Sequence, residues 1–261
     1  MWASHKRPIE SPKRIISLVP SQTELLYYLG LHEETVGITK FCVHPSDWLK
    51  HKKRIGGTKN PNLDLIRELK PDLIIANKEE NNKGDVEILA IDFPVWFTDV
   101  KNINDTLGMI QDIGKLTLKT ESSHILVSEI QEKLKQHFKN ASSKKMKGVY
   151  LIWQDPYMTI GGDTYIHEMM NLAGIENVFE KEIRYPEISD LAEVMKNAEL
   201  ILLSSEPYPF SEKHVNQLKK LFPDKKILLV DGEMFSWYGP RLLESIPYLN
   251  NLNEQLNHIE H

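Results

Sequence analysis

A single cysteine, Cys42, stands in 261 residues. That excludes an intrachain disulfide and any zinc site built on several thiolates. No apolar run approaches the roughly 20 residues needed to span a bilayer. The first residues, "MWASHKRPIESPKR", are polar and carry neither the apolar core of a secretory signal nor a cysteine for a lipid anchor. On this reading the chain is soluble with no visible route out of the cytoplasm, an appearance that a trimmed leader would also leave. Basic residues are in deficit, 32 Lys and Arg against 37 Asp and Glu, for a formal charge of -5. A nucleic-acid partner is thereby disfavoured, because phosphate contacts need a basic face. Ten histidines are scattered, and His44, His51, His124, His137, His167 and His214 share no ligand spacing, so no metal site is expected. Also missing are a Gly-x-Ser-x-Gly elbow and a phosphate-binding glycine loop. "TIGGDTY" (Thr159–Tyr165) has two glycines but no lysine, and reads as a turn with Asp163 capping the next helix. No catalytic set emerges.

What is present is an alternation of strand-length apolar runs with helical patterns. Hydrophobic residues make up 41% and charged ones 26%, an ordinary globular balance. The candidate strands are Arg14–Val19, Thr35–Ile38, Asp72–Ala76 and Pro94–Thr98, then Gly148–Trp153, Met158–Ile160, Glu199–Ser204 and Lys226–Val230. Runs such as "DLIIA", "LILLS" and "KILLV" lack polar alternation, which marks parallel strands covered on both faces. Helices are expected over Asn62–Leu69 and Asp163–Ala173, the second stopped by Gly174.

The rhythm breaks between Asn102 and Lys145, where no strand signal occurs. Leu126, Ile130, Leu134 and Phe138 recur there at every fourth position, with Glu129, Lys133, Gln136 and His137 on the other faces. The segment fits one long amphipathic helix, ended by "NASSKKMK" (Asn140–Lys147). The organisation is therefore an N-terminal α/β lobe (1–101), a helical strut (102–145) and a C-terminal α/β lobe (146–261). The ligand site of such an arrangement is expected between the lobes.

"RIISLVPSQTELLYYLGL", then "VGIT", "HPSDW" and "RIGGTKNPNLDLIRELKPDLIIA", occur in order along the chain. The combined pattern resembles the substrate-binding proteins of ABC importers that have a helical backbone, those serving cobalamin, iron–siderophore and haem uptake, with the cobalamin-binding type nearest. The resemblance covers essentially the whole chain. It implies two α/β lobes joined by one rigid helix, a small metal chelate as ligand rather than a resident cofactor, no catalysis, and a monomer that hands its cargo to a permease. It also implies a periplasmic or cell-envelope location. The missing leader keeps open a cytoplasmic corrinoid or metallophore carrier or sensor on the same fold.

Candidate site residues cluster just past strand ends, where open α/β sheets place ligands. In Pro20-Ser21-Gln22-Thr23-Glu24, Ser21 or Thr23 is expected to cap a helix and Glu24 to complement its dipole, with Ser21 also near the ligand. "KFCVHPSDW" (Lys40–Trp48) offers the Phe41 ring, and Cys42 and His44 as weaker candidates for touching a metal centre; Pro45 starts a helical turn. The glycines of "GGTKNPNLD" permit close backbone approach. The resemblance makes that loop cleft-lining, which nominates Thr58, Lys59 and Asn60, while Asn62 caps the next helix. Aromatic rings crowd the later loops: Trp153, Tyr157, Tyr208, Phe210, Phe235, Trp237 and Tyr238. Stacked rings suit a broad, flat, mostly apolar ligand, and the competing role for about half of them is to close the core. Arg241 either meets a ligand carboxylate or caps locally; "SWYGPRL" resembles the family's final turn. The resemblance further assigns permease docking to Asp64 and to one acid of "RYPEISDLAEV", where Glu187, Asp190 and Glu193 compete.

Overall fold

The computed structural model describes residue 6 and residues 11–140 and 145–258, and divides into two compact units. The first comprises Met1–Gln131 together with Trp237–Arg241, and the second Glu132–Ser236 with Leu242–His261.

In the first unit, β1 (Ile15–Ser17), β2 (Thr35–Ile38), β3 (Lys53–Arg54), β4 (Leu73–Asn77) and β5 (Val95–Thr98) form one sheet in the order β3-β2-β1-β4-β5, every pair parallel. The buried run "LIIAN" of β4 lies between β1 and β5, and its uniform hydrophobicity follows from burial on both faces. Ile16, Leu18, Ile55, Ile66, Ile74, Val86, Leu89 and Val95 pack into one core cluster. The helices are α1 (Pro20–Tyr28), α2 (Ser46–His51), α3 (Leu63–Leu69), α4 (Lys83–Asp92) and α5 (Ile103–Leu116). Strand β3 gave no sequence signal. It is two exposed basic residues, and only backbone pairing of Lys53 with Gly37 and Arg54 with Ile38 makes it a strand.

In the second unit, β6 (Met146–Leu151), β7 (Ile175–Asn177), β8 (Leu200–Ser204) and β9 (Lys226–Val230) form a parallel sheet in the order β7-β6-β8-β9. Its helices are α7 (Tyr165–Leu172), α8 (Leu191–Met195), α9 (Glu212–Leu221), α10 (Glu233–Ser236) and α11 (Leu242–His258). Gly174 ends α7 as expected, at φ +72°, where glycine bears no Cβ penalty. The expected strand Met158–Ile160 does not form: Met158 makes only isolated bridges, to Trp153 and Glu187. The helix cap expected at Asp163 is instead Thr164, whose Oγ1 accepts from the His167 amide, while Asp163 accepts from the Arg184 amide.

The helical stretch is two helices rather than one. α5 ends at Leu116, Leu118 adopts φ +57°, and α6 (Thr120–Asn140) follows; the division between the units falls inside α6. The four-residue stripe also drifts. Leu126, Ile130 and Leu134 are buried, but Phe138 is 64% exposed and His137 is buried in its place. Each step of four residues overshoots a 3.6-residue turn by about 40°, so a strict i+4 series rotates off the buried face within three steps. Val127, Ile130, Leu134 and His137 track that face. Of "NASSKKMK", residues 141–144 lie outside the described residues.

Candidate ligand site at the carboxyl ends of the strands

Each sheet has a point where chain order reverses, between β1 and β4 in the first and between β6 and β8 in the second. Loops leaving such neighbouring strands in opposite directions open a crevice at the carboxyl edge.

At the first reversal the turn after β1 is closed by proline. Val19 is the N-cap of α1 without a side-chain cap, and Pro20 occupies the first turn, where its missing N–H costs nothing. Ser21 and Thr23 therefore do not cap α1. Thr23 Oγ1 lies 3.0 Å from the Val19 carbonyl one turn back and 3.0 Å from Cys42 Sγ. Glu24 does not serve the helix dipole either; its carboxylate takes the Arg241 guanidinium in a two-pronged pair, Nη2 to Oε1 at 2.9 Å and Nε to Oε2 at 3.2 Å. Arg241 is 6% exposed on its side chain and Glu24 17%, so this cation is already matched within the protein.

A buried polar network behind the turn went unread in the sequence. Gln22 Nε2 donates to Thr98 Oγ1 (2.6 Å) and contacts Tyr238 Oη (3.1 Å), and Asn77 Nδ2 donates to the Thr98 carbonyl (3.2 Å). Asn81 Nδ2 reaches both the Leu18 and Thr58 carbonyls at 3.1 Å, tying the "GGTKN" loop to the end of β1. Polar residues placed immediately after apolar strands were the available signal. Asn62 caps α3 as expected, accepting from the Leu65 amide, and Pro45 is the N-cap of α2. Thr58 and Ser21 are buried, whereas Lys59, Asn60 and Phe41 are exposed, Phe41 by 49%. The Lys40 ammonium lies 5.0 Å from the Phe41 ring centre.

Trp237, Tyr238 and Arg241 were read as part of the C-terminal lobe, yet they pack with the first unit. The Trp237 ring meets His44 edge-on at 5.4 Å and lies 5.4 Å from the Arg241 guanidinium carbon. Gly239, at φ +96°, turns the chain beside Ser21 and Leu25. Burial pushes the Tyr238 hydroxyl far above the ordinary tyrosine value, so it is a neutral hydrogen-bonding group there.

Cys42 is fully buried between the Thr23 and Thr39 hydroxyls, with burial raising its thiol above the usual range. It faces core and not ligand. Thiolate is the reactive form. The native thiol is expected to react with an aromatic disulfide reagent at neutral pH at least about 100-fold more slowly than in denaturant, followed by absorbance.

At the second reversal, Trp153 follows β6 and Tyr208 follows β8. Their rings meet edge-to-face at 5.4 Å, with Trp153 still 41% exposed. Tyr208 rests on Phe210 (4.6 Å), and both contact His214. Phe210 is buried in the core cluster of Val149, Leu203 and Val215, and half-buried Tyr157 packs against it. Phe235 has no exposed surface and packs on Tyr150 at 5.0 Å. Of the seven rings read in the later loops, Phe210, Phe235, Trp237 and Tyr238 are buried, Tyr157 and Tyr208 are half-buried, and Trp153 is exposed.

Asp64 sits in the first turn of α3, exposed and 3.1 Å from Arg67. Glu187 is exposed after the bridge to Met158, and Glu193 is exposed on α8 and paired with Lys196. Asp190 is occupied structurally, accepting from the Ala192 and Glu193 amides as the α8 cap. Among the described residues, no group of three or more His, Cys, Asp or Glu side chains is placed to hold a metal, and no helix is long and apolar enough to cross a membrane.

The periplasmic binding protein family profile matches residues 15–222. An uncharacterized ABC transporter substrate-binding lipoprotein of Bacillus subtilis is 26% identical over 251 residues, covering 92% of this chain and 79% of its own. The crystal structure of a periplasmic vitamin B12 binding protein of Vibrio cholerae superposes with a TM-score of 0.80 at 20% identity, over 97% of this chain and 99% of that one. A periplasmic heme-binding protein from Roseiflexus sp. RS-1 does so at 0.80 and 18% identity, over 94% and 99%. The solved structures share this fold, and with the family profile spanning most of its length the chain belongs to the periplasmic binding protein family.

Proposed function

We propose that this chain is the substrate receptor of an ABC importer and that its ligand is a metal chelate, either a cobalamin-like corrinoid or an iron chelate such as a ferric siderophore or haem. The observation that carries the reading is the exposed Trp153 ring, propped edge-on by Tyr208 at a sheet's reversal point. An apolar face held there offers a flat ligand a stacking surface without the entropy cost of a mobile side chain. Phe41, Lys59 and Asn60 offer an exposed ring and polar groups at the carboxyl edge of the other sheet. Ser21 and Thr58 shape that edge from beneath.

The chain works as a monomer at the cell envelope, and Asp64 with Glu187 or Glu193 engages the permease. Among the candidates Asp190 is the least suited, because its carboxylate serves a helix cap. Exposed ion pairs such as Asp64–Arg67 cost little to break, which leaves the acid free to exchange partners.

Titration of the purified protein with cyanocobalamin, haem and ferric siderophores, followed by quenching of tryptophan fluorescence, should give saturable one-to-one binding to at least one of them. Saturable binding to none would defeat the proposal.

A further inference from the structure

A capping box is ordinarily closed by Glu or Gln three residues after the N-cap. At the start of α9 a histidine stands in that place. The Ser211 amide donates to His214 Nδ1 at 2.9 Å, and Ser211 Oγ lies 3.1 Å from the same nitrogen. Accepting an amide proton requires a bare Nδ1, so the imidazole is neutral with its proton on Nε2. The ring is also a wedge. It is 5% exposed and meets Tyr208 at 5.6 Å and Phe210 at 5.4 Å, both edge-on. The Phe210 amide donates to the Tyr208 carbonyl at 2.8 Å, so the three residues before Ser211 form one tight turn. Tyr208 in turn carries the exposed Trp153 ring at 5.4 Å. Histidine, cap and presented ring are thus linked by contiguous contacts within the second unit.

The surroundings give a protonated ring no counter-charge. Among the described residues no carboxylate or ammonium contacts the imidazole. The titratable groups on its loop side are the Tyr208 phenol and that of Tyr157, which packs against the cluster holding Phe210. On α9 itself Glu212, Lys213, Lys219 and Lys220 are exposed, and on α8 Asp190 caps the helix while Glu193 is paired with Lys196. Lys225 and Lys226, at the start of β9, donate to the Ala198 and Leu256 carbonyls. In the loops after β6 and β8, Asp155 is exposed and Glu206 accepts from Ser236 Oγ at 2.7 Å. A second proton, on Nδ1, would set N–H against the Ser211 N–H in a site where burial disfavours charge. The ring must then leave its place, and the turn holding Tyr208 loses its support.

We infer that His214 is a positioning residue for the presented Trp153 ring, and that its protonation in acid frees that ring and loosens the hold on a stacked chelate. This deepens the receptor reading above and rests on it for the chelate, whereas the coupling of His214 to Trp153 belongs to the fold. Only the neutral imidazole supports the prop, so binding strengthens as pH rises. A bound chelate resists proton uptake by the same factor.

Fluorine NMR of protein carrying fluorotryptophan reads the ring directly. The Trp153 signal is identified by its absence from Trp153→Phe. It should move as the pH falls from about 8 to about 5, in step with the His214 ring protons. His214→Gln keeps an acceptor for the Ser211 amide and never gains a charge, so it should hold that signal still. His214→Glu, the other usual capping-box residue, repeats the comparison should the Gln variant fail to fold. Affinity is read with cyanocobalamin and ferrichrome, neutral chelates whose charge does not change in this range. Whichever binds should do so at least about threefold more weakly in acid, and His214→Gln should abolish the difference. A Trp153 signal that ignores the His214 titration, or that titrates equally in His214→Gln, overturns the inference and leaves the receptor reading intact. Equal affinity at both ends of the pH range overturns the release in acid. Binding of neither chelate, nor of haem, removes the receptor reading, while the fluorine signal still decides the coupling.

Discussion

Phe235→Ala is expected to destabilise the second unit by about 3–5 kcal/mol, and Trp153→Ala to leave its stability nearly unchanged while weakening chelate binding at least about tenfold. The two rings look alike in the sequence, since each lies in a loop that leaves a strand of the same sheet. In the structure Phe235 has no accessible surface and packs between Tyr150 and Tyr248, at 5.0 and 6.4 Å between ring centres. Truncating it removes a large apolar surface from burial and leaves a cavity that rigid β-strand neighbours cannot fill. Trp153 is 41% exposed and touches Tyr208 by an edge, so its removal opens no cavity. Urea unfolding followed by circular dichroism separates the two costs, and fluorescence titration reads the affinity. A Phe235→Ala protein as stable as the parent would place that ring outside the core.

Removing Arg241 carries the second large effect. Arg241→Met is expected to destabilise the first unit by about 3 kcal/mol, because it strands the Glu24 carboxylate in a largely desolvated position. It also takes a guanidinium from the face of Trp237. The double substitution Glu24→Leu with Arg241→Met should recover a good part of that loss, since two apolar groups in place of a buried pair leave no charge unmatched. Urea midpoints of the single and double variants make a thermodynamic cycle, and a coupling near zero would mean that the pair is of no consequence to the fold. The same cycle bears on the ligand. If Arg241 were held for a ligand carboxylate, Glu24→Gln would raise the affinity for carboxylate-bearing chelates; with the guanidinium bound in two-pronged fashion, it is expected to lower stability instead.

Much of the fold was legible because it is written in local hydrophobicity. β2 and β9 occupy the expected residues, and β4, β5, β6 and β8 lie within one to two residues of theirs at most ends, because a strand buried on both faces must be apolar throughout. The cap at Asn62 and the stop at Gly174 follow from the chemistry of a single residue, an acceptor for an orphan amide and the tolerance of positive φ. β3 was illegible for the opposite reason. Its two residues carry no apolar signal, and pairing with β2 alone defines it.

The candidate site divides along the same line. That ligand loops would sit after β1, β2, β6, β8 and β9 follows from reading parallel strands, and the motif order fixed the family. Which side chains face outward could not be read, because burial depends on what arrives from distant parts of the chain. Ser21 and Thr23 looked like caps until Pro20 took the helix start and Cys42 and Ser17 took the Thr23 hydroxyl. Gln22 looked incidental until Thr98 and Tyr238, 76 and 216 residues away, closed over it.

The opening motifs and the apolar strands thus determined by themselves that this is a parallel α/β binding protein. Only the tertiary structure decided that Glu24 neutralises Arg241 and that Phe235 is core while Trp153 is presented. The physical reason is that hydrophobicity and helix caps act between near neighbours in sequence, whereas burial and charge pairing are set by residues that meet only once the chain has folded.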